Sequence, residues 1–198
     1  FEIIREELKL ISHEMCDAAT GNKAIQVKYR EKGAFQCELS FGEDILIFYL
    51  HADVFNLDPS HPNWKSSYMK NDAMNGYCGM IGIFNFLSNS FQFNRQDDIG
   101  YMIGRMFINH ESHFFVEGKR QLGFLYNDVM HNIVDRNSVR AIIESAILYC
   151  LEFDLLSPPY SDIVEIRVGD MLLQNQRMSL QTGKRMGFRF EADSDHFE

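Results

Sequence analysis

The chain has 198 residues, 45% of them hydrophobic and 13% aromatic, enough to bury a sizeable core and too many for a disordered chain. Its net charge of −9 and pI near 5.2 argue against a general nucleic-acid-binding or anionic-membrane surface. The longest apolar runs, such as Ile45–Leu50, are far too short to cross a bilayer.

Residues 1–19 carry Ile4, Leu8, Ile11, Met15 and Ala18 at helical spacing, with Glu2, Glu6 and Glu7 in the first turns. This predicts an amphipathic helix that stops at Gly21-Asn22. The charged first turn is not that of a signal peptide, and the absence of an initiating Met suggests a trimmed N-terminus. A meander follows. Ile25, Val27 and Tyr29 alternate with Gln26, Lys28 and Arg30; Phe35, Cys37, Leu39 and Phe41 alternate with Gln36, Glu38 and Ser40. Both runs read as strands with one face buried and one in water. Ile45–Leu50 is apolar on both faces, which marks a strand covered on both sides.

Asn56–Asn75 is a long irregular segment that holds the only tryptophan, Trp64. Pro62 stands where a short helix from Asn63 to Met69 would begin. A loop of this length is often a binding lid or an oligomer contact. Trp64 would either pin it to the body or stack on a ligand. Strand-like sequence resumes at Tyr77. Gly76, Gly79 and Gly82 lack the Lys-Ser/Thr of a phosphate loop and read as close packing of the sheet.

From Ile99 to Asn109 the residues alternate, with Ile99, Tyr101, Ile103, Arg105 and Phe107 on one predicted face. A turn at His110-Glu111-Ser112 leads into a second run, His113–Leu122. A three-residue loop would set Phe107 opposite Phe115 and Arg105 opposite Glu117, pairings that stabilise a hairpin. Asp98 and the triplet Glu117-Gly118-Lys119 look like a nuclease metal site. In this register, however, Asp98 falls seven residues from Arg105, roughly 23 Å along a strand. The expected reading is an Arg105–Glu117 ion pair on a solvated face. His110 and His113 have the wrong spacing for a zincin motif and read as an exposed turn.

Leu122, Leu125, Val129 and Ile133 then recur at helical spacing, with His131 on the surface. Asp135–Ser138 offers N-caps for a second helix, marked by Val139, Ile142, Ile143, Ala146 and Cys150 and ended by Ser157-Pro158-Pro159. Ile163–Val168 reads as a strand, Met171–Leu180 as its returning partner and Gly187–Phe190 as a short edge strand.

The expectation is an α+β fold with an antiparallel sheet of about six to eight strands, built from a meander plus hairpins. An N-terminal helix and two consecutive helices near 122–155 pack on it. One domain over 1–192 is followed by a flexible acidic tail at 193–198. The element order is loosely that of GAF- and PAS-like sensory domains, a likeness of order that no signature residue carries.

Cys16, Cys37, Cys78 and Cys150 are far apart and sit in apolar patterns, as buried reduced thiols do, which suggests the cytoplasm. Two constellations carry chemistry. His51 and Asp53 share a strand face, and with Asp58 and His61 they supply four donors suited to Zn²⁺ or Mn²⁺. Met80, Phe84, Met102 and Met106, with Trp64 from the loop, are candidates to line an apolar ligand pocket. No G-x-S-x-G or cysteine-nucleophile signature occurs. The residues therefore point to a non-catalytic domain that binds a small molecule or a protein partner, with no nucleic acid or membrane partner and no cofactor identified. The 56–75 loop would cover its site. A metal-dependent hydrolase using the 51–61 cluster and a structural homodimer are the alternatives.

Overall fold

The computed structural model describes residues 1–19, 26–152, 164–180 and 186–190. Six strands lie side by side in chain order, each antiparallel to the last: β1 (Val27–Lys32), β2 (Gln36–Phe41), β3 (Asp44–Leu57), β4 (Tyr77–Leu87), β5 (Ile99–Asn109) and β6 (Phe114–Gly118). Two more strands extend the same sheet. β7 (Val164–Arg167) pairs antiparallel with the start of β5, and β8 (Met186–Phe190) runs parallel to the end of β3. The fold is α+β, as the sequence implies. The stop signals at Gly21-Asn22 and Ser157–Pro159 and the acidic tail lie outside the described residues.

One face of the sheet is covered by α1 (Glu2–Ala18) and α5 (Arg136–Glu152). The predicted stripes do this work. Ile4, Leu8 and Ile11 from α1 and Val139, Ile142, Ile143, Ala146 and Cys150 from α5 pack on Leu39, Phe48, Ile83 and Ile103. Asp135 and Ser138 cap α5 reciprocally: the Ser138 amide donates to Asp135 Oδ1 at 2.6 Å, and the Asp135 amide to Ser138 Oγ at 2.9 Å. The two helices are also tied by charge. Buried Glu7 accepts from Arg136 Nη1 at 2.9 Å, and Arg140 reaches Glu14. The helical spacing from Leu122 to Ile133 is realised only over α4 (Gln121–Leu125). Beyond it, residues 126–134 run beside β6, where Tyr126 and Asn132 accept from the Val116 and Phe114 amides. The segment follows the β6 edge because that edge offers free backbone donors.

The opposite face carries two apolar clusters. One joins Ile45, Ile47, Tyr49, Phe84 and Phe86 to Val168 and Met171 of α6 (Val168–Leu180). This corrects the strand expected at Met171–Leu180. Helical spacing lets Val168 and Met171 both bury against the sheet, where Tyr49 donates to the Gln174 carbonyl. The other cluster joins Leu57, Cys78, Phe107, Phe115 and Val129 to Met69 from the 58–76 segment. That segment is a 3₁₀ turn at Pro62–Lys65, α2 (Ser67–Asn71) and a second 3₁₀ turn at Ala73–Gly76. Trp64 fastens it. Its Nε1 donates to the Leu57 carbonyl at 3.3 Å, and its ring lies so close to Gly76 that a Cβ there would sit 2.6 Å away.

A bulge alters the strict alternation read for β5. Ile83 faces Gly104 and Phe84 faces Met102, so Ile103 is the extra residue. Tyr101, Ile103 and Met106 therefore all join the helix-covered face, while Met102 and Phe107 stay on the other. The solvated face read for β2 is also corrected: Gln36 and Glu38 are buried, with Gln36 Nε2 donating to Glu38 Oε1 at 2.7 Å.

Three of the four thiols lie in these layers, but Cys16 is exposed near the end of α1, contrary to expectation. Burial pushes the Cys37 and Cys78 thiols up to about 12 and raises Cys150 as well. The thiolate is the reactive form. Iodoacetamide at pH 8 should therefore alkylate Cys16 alone in the native protein and all four thiols in denaturant, as read by intact mass. Rapid native labelling of two or more would contradict the packing.

Candidate functional site

The hairpin of β5 and β6 has the register its side chains select. Phe107 faces Phe115 and Arg105 faces Glu117, with the Asn109 amide donating to the His113 carbonyl across the turn. The two phenyl rings stack at 4.9 Å. His110, Glu111 and Ser112 form the exposed turn expected.

The Arg105–Glu117 pair is not on a solvated face. Arg105 is 11% and Glu117 14% exposed, because the 3₁₀ turn that begins at Pro62 rolls His61 over them. Arg105 Nη2 donates to Glu117 Oε2 at 2.8 Å, and His61 Nε2 meets Glu117 Oε1 at 3.0 Å. The His61 ring packs on Phe115. Its other nitrogen, Nδ1, accepts from the Asn63 amide at 3.2 Å. A backbone N–H can only donate, so Nδ1 is unprotonated and Nε2 carries the hydrogen given to Glu117. One carboxylate thus joins the central strand, its neighbour and the covering loop.

A cavity of about 470 Å³ opens beside this junction. Phe115, Val116 and Glu117 form its floor, and His61, Asn63 and Ser66 form the loop-side wall. The far wall is Asn127, Asp128 and Val129, where the chain bows away from β6 between its two hydrogen bonds to that edge. Gly118 and Gly123 close one end. A Cβ at 123 would sit 2.2 Å from the Gly118 carbonyl oxygen, so the approach of α4 to β6 requires glycine there. At the rim, Asp128 takes the Met130 amide at 3.0 Å and His131 Nδ1 at 2.7 Å. The His131 hydrogen bond lowers the Asp128 pKa, so Asp128 is ionised at neutral pH. The cavity therefore has the Phe115 ring and the Glu117 carboxylate in its floor, amide and hydroxyl walls and a second carboxylate, Asp128, at its mouth. A pocket of this size suits a small organic ligand.

The structure separates the four candidate metal ligands. His51 and Asp53 lie in an irregular stretch of β3, where His51 Nδ1 accepts from the Asp53 amide at 3.2 Å and the ring contacts Phe55. Burial holds the His51 pKa below the ordinary imidazole value. Asp58 takes the Ser60 amide and hydroxyl at 2.8 and 2.6 Å, and His61 belongs to Glu117. Among the described residues no three His, Cys, Asp or Glu side chains converge to hold a metal ion. The pocket candidates are separated too. Trp64 and Met80 pack in the loop-side cluster, Phe84 and Met102 under α6, and Met106 on the helix-covered face. None of them lines this cavity.

The residues that do line it went unmarked in the sequence. Only His61 and Glu117 stand out there for chemistry, each in a metal site that the structure does not form. Asn63 lies in the 3₁₀ turn at Pro62–Lys65, Ser66 caps α2, and Asn127 and Asp128 lie in irregular chain, so no common pattern marks them. With both ring nitrogens engaged, His61 presents no free lone pair to the cavity, whereas a general base needs one within reach of its substrate. The geometry suits positioning of a ligand. No family model, curated protein or solved structure matches this chain.

Proposed function

We propose that this domain binds a small organic molecule in the cavity beneath the 58–76 segment and has no catalytic role. The observation that carries this reading is the buried His61–Glu117–Arg105 junction. It holds the covering segment against β5 and β6 while a cavity of about 470 Å³ stays open beside it. The lining defines the ligand class. The Phe115 ring takes a flat body, Asn63, Ser66 and Asn127 take hydrogen-bonding groups, and ionised Asp128 favours a neutral or cationic ligand over an anion.

Benzamidine, benzamide and benzoate present one ring with a cationic, a neutral and an anionic group. Titrated into the full chain, benzamidine should bind tightest and benzoate weakest. Shifts in amide resonances should be confined to 61–66, 115–118 and 127–129. Asp128 is half exposed, so Asp128→Asn should weaken benzamidine by about threefold and leave benzamide unchanged. Binding that ignores ligand charge, or shifts that fall elsewhere, would sink the reading.

A protein-interaction or homodimer reading rests on Phe124, Leu125, Leu148 and Leu151, large apolar residues exposed on α4 and α5. A mass that rises with protein concentration and returns to the monomer on Phe124→Ser would support it. No helix among the described residues is long and apolar enough to cross a membrane.

A further inference from the structure

A second cavity, of about 610 Å³, lies on the same face of the sheet at its β1 edge, and it shares no residue with the first. Strand β1 places Lys28, Arg30 and Lys32 at alternate positions, so all three cations leave one face while Val27 and Tyr29 pack on the helix-covered core. The ladder sets Lys28 across from Ser40, Arg30 across from Glu38 and Lys32 across from Gln36. The opposite wall is α3 (Ser88–Gln92), which contributes Asn89, Phe91 and Gln92.

The floor of this cleft holds a buried carboxylate. Glu38 is 1% exposed, although it stands on a strand next to the sheet edge. Its Oε1 takes both Lys32 Nζ at 2.8 Å and Gln36 Nε2 at 2.7 Å. Its Oε2 is buried with no hydrogen-bond partner among the described residues. A buried carboxylate oxygen without a donor is costly, and the cost is removed when a hydroxyl or ammonium hydrogen reaches it. Lys32 is committed to Glu38 and to the face of Phe91, 5.1 Å from the ring centroid. Lys28 and Arg30 have no carboxylate partner among the described residues, even though Arg30 faces Glu38 across the ladder. The cleft thus pairs two cations that have no carboxylate partner among the described residues with a buried acceptor oxygen that lacks a donor, and Glu43 is the second carboxylate of its lining.

We propose that this cleft binds a small hydroxylated oxyanion, a phosphate or carboxylate carried on a short polyol. The anionic group lies between Lys28 and the planar fork of Arg30, which fits either oxyanion through two parallel hydrogen bonds. A neighbouring hydroxyl donates to Glu38 Oε2. Gln26, Asn89 and Gln92 take the remaining hydroxyls, and the scarcity of apolar lining disfavours an aromatic or aliphatic body.

The test is calorimetric titration of the full chain at low salt with glycerol 3-phosphate, glycerate, inorganic phosphate and glycerol. At least one hydroxylated anion should bind about tenfold tighter than inorganic phosphate and glycerol, since it alone satisfies both the cations and Glu38. The better of glycerol 3-phosphate and glycerate identifies the anionic group. Arg30→Gln, at an exposed position, should weaken that ligand about tenfold and leave benzamidine binding at the other cavity unchanged. Glu38→Gln should erase the preference over inorganic phosphate, provided its circular dichroism matches the parent. Inorganic phosphate binding as tightly as the polyol anions would reduce the cleft to a charged patch and overturn the proposal. So would no binding, or binding indifferent to Arg30→Gln. Because the cavities share no residue, failure here and failure at the first cavity are separate results.

Discussion

Glu117→Ala should lower the unfolding free energy by about 3–5 kcal/mol, the range for breaking a buried ion pair by removing one partner. The Glu117 carboxylate accepts from the Arg105 guanidinium and meets His61 Nε2, at 2.8 and 3.0 Å, and both basic side chains are largely buried. Removing it takes one acceptor from a largely buried guanidinium and from a buried imidazole N–H. Glu117→Gln should cost less, because an amide oxygen still accepts one hydrogen bond. Arg105→Met combined with Glu117→Leu should recover part of the loss, since both charges then leave together. Urea denaturation of the three variants reads these values. Backbone hydrogen exchange across 62–76 should also quicken in Glu117→Ala, because His61 is one of the contacts that hold that segment on β6. A loss below about 1 kcal/mol would mean that the pair behaves as a solvated surface bridge, the reading the sequence invited.

That reading shows where sequence reasoning stops. The hairpin register was legible because the stacked Phe107–Phe115 pair and the Arg105–Glu117 pair each favour one alignment, and both favour the same one. Their burial was not legible. Arg and Glu facing each other on a strand look alike in water and beneath a covering loop. His61, which covers them, sits 56 residues before Glu117 in the chain. His61 was therefore grouped with His51 and Asp53, its neighbours in sequence, although its partner is Glu117. The bulge at Ile103 was hidden for a different reason. Alternation through Gly100 and Gly104 leaves no apolar residue out of step, so the pattern continues across a position where the backbone has slipped by one. Gln36 and Glu38 read as solvent-facing from their polarity alone, and only the arrangement around Lys32 and α3 shows them enclosed. Local pairings and the two long amphipathic helices were readable. Both cavities are made by short segments meeting strands distant in sequence, and no periodicity encodes that meeting.

Phe107→Ala should be as damaging as the loss of Glu117, and for an apolar reason. Phe107 is fully buried near the end of β5, stacked on Phe115, with Leu57, Cys78, Met69 and Val129 around it. Truncation removes a phenyl ring from a site bounded by strands on one side and the pinned 58–76 segment on the other. Neither can move far to fill the space, so the expected loss is about 3–5 kcal/mol, near the upper end for large-to-small core changes. Against a total stability of about 5–15 kcal/mol, this would bring the domain close to unfolding at physiological temperature. Two controls separate the cavity term from the stacking term. Phe107→Leu keeps most of the volume and should lose about half as much. Met69→Ala opens the same cluster from the loop side and should cost about 2–5 kcal/mol. If the 58–76 segment is held by this cluster, both Phe107→Ala and Met69→Ala will speed exchange of its amides and abolish benzamidine binding at the adjacent cavity. If exchange there stays at parent rates while global stability falls, Trp64 and His61 hold the segment by themselves, and the cluster under it serves the sheet alone.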